Sequence, residues 1–173
     1  MTTFQHNAPQ VGQMLSPFSL LAAIPAPNRI ESSTRTREDF VGKPLVLFVY
    51  PKDATSGCTL EVCGFRDLYS EFRVLDIEVV GLSRDGIGAH KKFIENQKLP
   101  FALLADREQN LLKNWDLIFG STMYGKAVTK VKRTTFFIDE SGIVRHIWDD
   151  VSPLGHAREV LEWVRQLVSR QLA

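Results

Sequence analysis

Seven residues from Pro44 to Tyr50, Pro-Leu-Val-Leu-Phe-Val-Tyr, carry no charge and no polar break. A run this short and apolar, with no alternation, is a strand covered on both faces, which places it in the middle of an α/β sheet. A helical pattern begins directly after it. The loop Tyr50-Pro51-Lys52-Asp53-Ala54-Thr55-Ser56-Gly57-Cys58 therefore sits where a central strand hands over to a helix. Open α/β sheets place ligands at the carboxyl ends of their strands. Cys58 falls in the first turn of the helix, where unsatisfied N–H groups and the helix dipole favour negative charge. Negatively charged sulfur is the nucleophilic form.

At 100° per residue, Cys58, Val62, Phe65, Tyr69 and Phe72 share one stripe, expected to pack on the sheet. Cys63 lies about 140° away, on the polar side with Asp67 and Ser70. Further strands are expected at Val74–Ser83, Phe101–Ala105, Thr134–Ile138 and Ile143–Trp148, the last two forming a hairpin across Asp139–Gly142. Helices are expected around His90–Asn96, from the Asp106-x-x-Gln109 capping box through Trp115, and after Ser152-Pro153. Before the central strand, Ser16–Ser33 reads as a hairpin across Pro25-Ala26-Pro27-Asn28, and Thr36-x-x-Asp39 as one helical turn. Residues 1–15 read as a loose arm and 116–132 as irregular. This order gives an α/β, thioredoxin-like fold: a central mixed sheet flanked by helices, with an N-terminal hairpin extension, in a single domain over 1–173.

Composition narrows the function. A net charge of +1 gives no reason to expect nucleic acid or an anionic membrane as a partner. No apolar run approaches the roughly 18–20 residues of a membrane span. Leu20–Ala26 is too short for an export signal, is broken by Pro25, and has no Lys or Arg before it. Two cysteines cannot form a disulfide scaffold for 173 residues, so a reducing cytoplasm with redox-active thiols is expected.

Taken alone, two cysteines five apart are open to more than one reading. Both could be inert core thiols. A zinc site lacks a second pair or a histidine cluster, and a thioredoxin-type pair has two intervening residues where this chain has four. In an intact helix their Cα atoms would stand about 8.7 Å apart, beyond the roughly 4.4–6.8 Å a disulfide spans. If they join, the helix must unwind between them. Gly64 would ease this, weakening the helix by roughly 1 kcal/mol relative to alanine, or simply fill a packing gap.

Pro51-x-x-x-Thr55-x-x-Cys58 resembles the active-site signature of peroxiredoxins. Cys58-Thr-Leu-Glu61-Val-Cys63-Gly-Phe65-Arg66-Asp67 is similar to their Q subfamily, the bacterioferritin comigratory proteins. So are Leu99-Pro100-Phe101, Met123-Tyr124-Gly125-Lys126 and Lys132-Arg133-Thr134-Thr135-Phe136. The resemblance implies a thiol-dependent peroxidase reducing hydrogen peroxide and organic hydroperoxides. Cys58 would be the peroxidatic thiolate, passing through a sulfenic acid. Cys63 would resolve it in an intramolecular disulfide. Thr55 would hydrogen-bond the thiolate and peroxide, Arg133 supply positive charge, and Pro51 shape and shield the loop, with Gly57 among the residues lining the substrate position. It implies no metal, haem or flavin, a monomeric chain, and recycling by thioredoxin or a similar dithiol protein. Rival readings are a thiol-disulfide oxidoreductase acting on proteins and a non-enzymatic peroxide sensor. His6, His90, His146 and His156 lack ligand spacing and are expected at or near the surface, and Glu61 is expected to serve the helix dipole or an ion pair.

Overall fold

The computed structural model describes residues 7–172. The central apolar run forms β3 (Leu45–Val49), with every residue buried. Its side chains divide by parity, as the two-residue period of a strand requires. Val46, Phe48 and Tyr50 enter one apolar cluster, while Leu45, Leu47 and Val49 enter another on the opposite face. Both faces are covered, so the sequence shows no polar alternation.

Around β3 the sheet runs in the order β2-β1-β5-β4-β3-β8-β9. β4 (Glu78–Ser83) lies parallel to β3 and to β5 (Leu103–Ala105). The hairpin of β1 (Ser19–Ala26) and β2 (Arg29–Thr36) joins antiparallel to β5. On the other side, β8 (Thr134–Ile138) and β9 (Val144–Trp148) close the sheet antiparallel. Residues of α1 (Ser56–Val74), α2 (Ile87–Gln97) and α4 (His156–Leu172) fill one apolar cluster; the short α3 (Asn110–Asn114) helps fill the other. The mixed α/β architecture is as expected. The turn after Thr36 is also present, a 3-10 helix at Arg37–Phe40 with the Thr36 amide donating to Asp39 Oδ2 at 2.7 Å.

Several local expectations are corrected. Val74 belongs to the end of α1, and β4 starts only at Glu78. The Asp106 carboxylate does cap α3, accepting the Leu112 amide at 2.8 Å, but Gln109 takes a left-handed conformation (φ 61) rather than completing a box. The last helix starts at His156, after a turn at Pro153–Gly155. Residues 116–132 are not irregular: β6 (Ile118–Met123) and β7 (Lys126–Val131) pair antiparallel across Tyr124-Gly125, both at positive φ (50 and 74). This hairpin is largely exposed, so apolar periodicity does not betray it. The arm expected to be loose is exposed over most of residues 7–14 but tied by its backbone, with the Asn7 amide donating to the Asn114 carbonyl at 3.0 Å. Leu15 is buried, and the Gly12 amide donates to the Val144 carbonyl at 2.8 Å. Residues 1–6 lie outside the described residues.

Candidate active site

The strand-to-helix crossover delivers Cys58 into the first turn of α1, whose N-cap is Thr55. The Thr59 amide closes that turn on the Thr55 carbonyl at 2.8 Å. Cys58 is 1% exposed and shares its cluster with Val62, Phe65 and Phe72, the expected stripe; Tyr69 packs at its margin. A charged sulfur in this apolar setting needs a counter-charge, and Arg133 provides one. Its Nη2 donates to Cys58 Sγ at 3.3 Å.

Arg133 immediately precedes β8, and the register pairs Val49 with Thr134, which brings the end of β3 beside the start of β8. The guanidinium is fixed in turn by Glu61, whose Oε2 accepts from Arg133 Nη1. Glu61 is fully buried, one helical turn after Cys58, and its Oε1 has no hydrogen-bond partner among the described residues. Burial pushes this carboxyl up to about 7, although the guanidinium pulls the other way. Burial lowers Arg133, but the Glu61 carboxylate and the Cys58 sulfur outweigh it, so its proton is held more tightly than usual. Cys58, Arg133 and Glu61 thus form one connected cluster, with Cys58 and Glu61 buried and Arg133 half-buried. Sequence reading offered Glu61 as an ion-pair former, but its spacing gives no sign of complete burial.

The other expected residues fall nearby. Thr55 is exposed and its hydroxyl donates to the Lys52 carbonyl at 3.0 Å, while the Cys58 sulfur takes its hydrogen bond from Arg133. Pro51 is half-buried at the bend. A Cβ on Gly57 would stand 3.5 Å from Arg133 Nη2 and 3.6 Å from Pro153 Cγ, so the glycine backbone lines the guanidinium. Cys63 sits on the same continuous helix, half-buried, and donates to Gln97 Oε1 at 3.3 Å. Burial pushes its thiol up, favouring the protonated form. Both thiols are free, and the helix between them keeps their Cα atoms about 8.7 Å apart. Gly64 has a packing role: a Cβ there would lie 3.3 Å from Ala157 Cβ of α4.

Two histidines depart from expectation. His90 is fully buried against Asp53, and His156 is 1% exposed with Nε2 2.7 Å from Thr135 Oγ1. Tertiary partners satisfy both ring nitrogens of His90 and Nε2 of His156, while His156 Nδ1 has no hydrogen-bond partner among the described residues; local sequence displays none of this. His146 is half-buried and stacks on Trp163; His6 lies outside the described residues. Among the described residues, no group of three or more His, Cys, Asp or Glu side chains could hold a metal ion, and no helix is long and apolar enough to cross a membrane.

A thiol in the first turn of a helix, behind a central strand and against a half-buried guanidinium, defines a protein of thiol redox chemistry. The model of the AhpC/TSA family matches residues 11–147, and the chain belongs to that family. Within it, the chain is a peroxiredoxin of the Bcp, or Q, type and a thiol-dependent peroxidase. It is 39% identical over 129 residues to the peroxiredoxin Bcp of Bacillus subtilis, covering 75% of this chain and 82% of the relative. A mutant PrxQ of Xylella fastidiosa superposes with a TM-score of 0.83 at 30% identity, covering 94% of this chain and 99% of the other. The bacterioferritin comigratory protein of Xanthomonas campestris, studied for alkyl peroxide reduction in trapped intermediate and ligand complexes, gives a TM-score of 0.77 at 32% identity, covering 86% and 90%.

Proposed function

We propose that Cys58 is the peroxidatic sulfur of this peroxidase and Cys63 its resolving partner. The observation carrying this reading is the Arg133 guanidinium 3.3 Å from Cys58 Sγ at the start of α1. The sulfur stands where two positive influences meet, the helix end and the guanidinium. The thiolate attacks the terminal oxygen of a hydroperoxide, an S–O bond forms, and the O–O bond breaks. Sulfur is oxidised to the sulfenic acid, and the departing oxygen leaves as water or an alcohol after taking a proton.

Arg133 stabilises the charge that develops on the departing oxygen. The Thr55 hydroxyl, with its proton committed to Lys52, keeps oxygen lone pairs available to accept from the peroxide O–H. Pro51 and Gly57 bound the substrate position. Cys63 then attacks the Cys58 sulfenic sulfur, releasing water and forming a disulfide. The distance of about 8.7 Å along an intact helix requires α1 to unwind first.

Hydrogen peroxide and organic hydroperoxides both meet these requirements, since the site engages the O–O bond rather than the group beyond it. A dithiol protein of the thioredoxin kind reduces the disulfide. The protein works as a monomer in the cytoplasm, where thiols stay reduced. Steady-state peroxide consumption with thioredoxin and its reductase tests the scheme. Wild type turns over and Cys58→Ser does not; turnover by Cys58→Ser at the wild-type rate would remove Cys58 from the nucleophile role.

A further inference from the structure

Behind the active-site loop lies a buried polar chain that the reaction scheme does not use. The Tyr50 hydroxyl donates to Asp53 Oδ1 at 2.6 Å. Asp53 Oδ2 stands 2.6 Å from His90 Nδ1, and His90 Nε2 stands 2.9 Å from the Leu104 carbonyl of β5. Exposures are 0% for Tyr50, 7% for Asp53 and 0% for His90. The Asp53 amide is also tied, donating to Asp85 Oδ2 at 2.9 Å, and that same oxygen accepts from Ser83 Oγ at 2.6 Å.

The chemistry of the chain follows from its acceptors. A carbonyl can only accept, so His90 Nε2 carries a proton. Nδ1 and Asp53 Oδ2, 2.6 Å apart, share a hydrogen bond. Burial, with Asp53 beside it, pushes the Tyr50 phenol well up, so Tyr50 stays a donor. A fully satisfied network of this kind is rigid, and losing one member leaves buried groups unpaired.

Its position matters more than its stability. Asp53 is the last residue of the loop held this way: Ala54, Thr55 and Ser56 are exposed, and Ala54 takes a left-handed φ of 60. Only four residues separate Asp53 from Cys58. We propose that the Tyr50–Asp53–His90 network is a positioning device for the peroxidase reaction, pinning the loop so that Thr55 and Cys58 face the peroxide together and setting the point at which unwinding of α1 stops. Asp53 and His90 touch neither substrate nor sulfur; they act through the loop. The inference rests on the assignment of Cys58 as the peroxidatic residue.

The test follows the first chemical step, peroxide consumption by reduced protein in a Cys63→Ser background, using hydrogen peroxide. Asp53→Ala and His90→Leu are expected to lower its second-order rate constant by about tenfold to a hundredfold, the scale of a misplaced reacting group. Asp53→Asn can still accept from Tyr50 and donate to a neutral His90, so it is expected to stay within about threefold of the parent. A purely stabilising network would also separate alanine from asparagine, so each variant's urea midpoint is measured beside its rate: a positioning role lowers the rate constant of Asp53→Ala under conditions where the variant is fully folded. A second readout needs no substitution: amide exchange in the wild type with Cys58 and Cys63 joined. The Tyr50 and Asp53 amides should stay protected while those of Gly57–Cys63 exchange faster than in reduced protein. Asp53→Ala matching the parent, Asp53→Asn as slow as Asp53→Ala, or an Asp53 amide exchanging with the unwound segment would each overturn the proposal. A parent that consumes no peroxide through Cys58 would instead remove the assignment beneath it.

Discussion

Arg133 reaches Cys58 across 75 residues of sequence because β8 pairs with β3 in the register that sets Thr134 opposite Val49. Arg133 is held at both ends, by its side chain and by its backbone. Glu61 grips Nη1, and the Arg133 carbonyl accepts the Val151 amide at 3.0 Å. Removing the guanidinium with Arg133→Ala is therefore expected to slow sulfenic acid formation by about 10²–10³-fold, the scale seen when one charge-stabilising donor is lost. Arg133→Lys keeps the charge but cannot serve Cys58 and Glu61 as a fork, so it should fall between the two. Stopped-flow kinetics with one equivalent of peroxide measures both.

Glu61 gives the fold a pH signature. The folded chain holds its proton to about 7, against an ordinary value of 4.5. Folded protein therefore binds more protons than unfolded protein between those values, and stability falls as pH rises through that window. This contribution is fully present below 4.5 and lost once pH passes about 7; its full size is on the order of 3 kcal/mol. His146 and His156, both pushed down by burial, change stability in the opposite sense. The informative quantity is thus the difference between wild type and Glu61→Gln, which is uncharged throughout. Urea unfolding at pH 5 and pH 8 should show wild type losing stability relative to Glu61→Gln at the higher pH.

The Cys63 thiol must leave Gln97 before it can meet Cys58, since the hydrogen bond between them ties the second turn of α1 to the end of α2. Gln97→Ala removes the acceptor while the Arg66 bond to the residue 97 carbonyl, 2.8 Å here, can persist. Disulfide formation after a single peroxide addition should become faster by about threefold, given a weak bond of roughly 0.5–1 kcal/mol. Acid-quenched samples analysed by mass spectrometry would follow it.

Gly81 lies beneath the aromatic rings of the central strand. A Cβ there would stand 2.7 Å from Leu103 Cδ2, 2.9 Å from Phe48 Cζ and 3.1 Å from Tyr50 Cε1. Gly81→Ala should cost roughly 1–3 kcal/mol, as overpacking of a filled core does, visible as a lower denaturant midpoint.

Sequence made the centre of this molecule legible and its margins less so. β3 and the start of α1 stand out because an uncharged run passes directly into a helical stripe carrying Cys58. The β6–β7 hairpin stayed hidden because its strands are mostly exposed and offer no apolar alternation. Its turn was visible only as Gly125, while the partner residue at positive φ is Tyr124, a type rarely found there. His90 and His156 looked ordinary because their partners, Asp53 and Thr135, lie 37 and 21 residues away. Glu61 carried a half-visible signal: its place after Cys58 suggests a charge partner, but complete burial depends on Arg133 arriving from β8.

The most direct measurement is peptide mapping of the non-reduced chain after one equivalent of hydrogen peroxide, with a parallel sample of Cys63→Ser. In the wild type, Cys58 and Cys63 should be joined within one chain; in Cys63→Ser, the sulfenic acid should be found on Cys58. Oxidation confined to Cys63, with Cys58 recovered as a free thiol, would contradict the account.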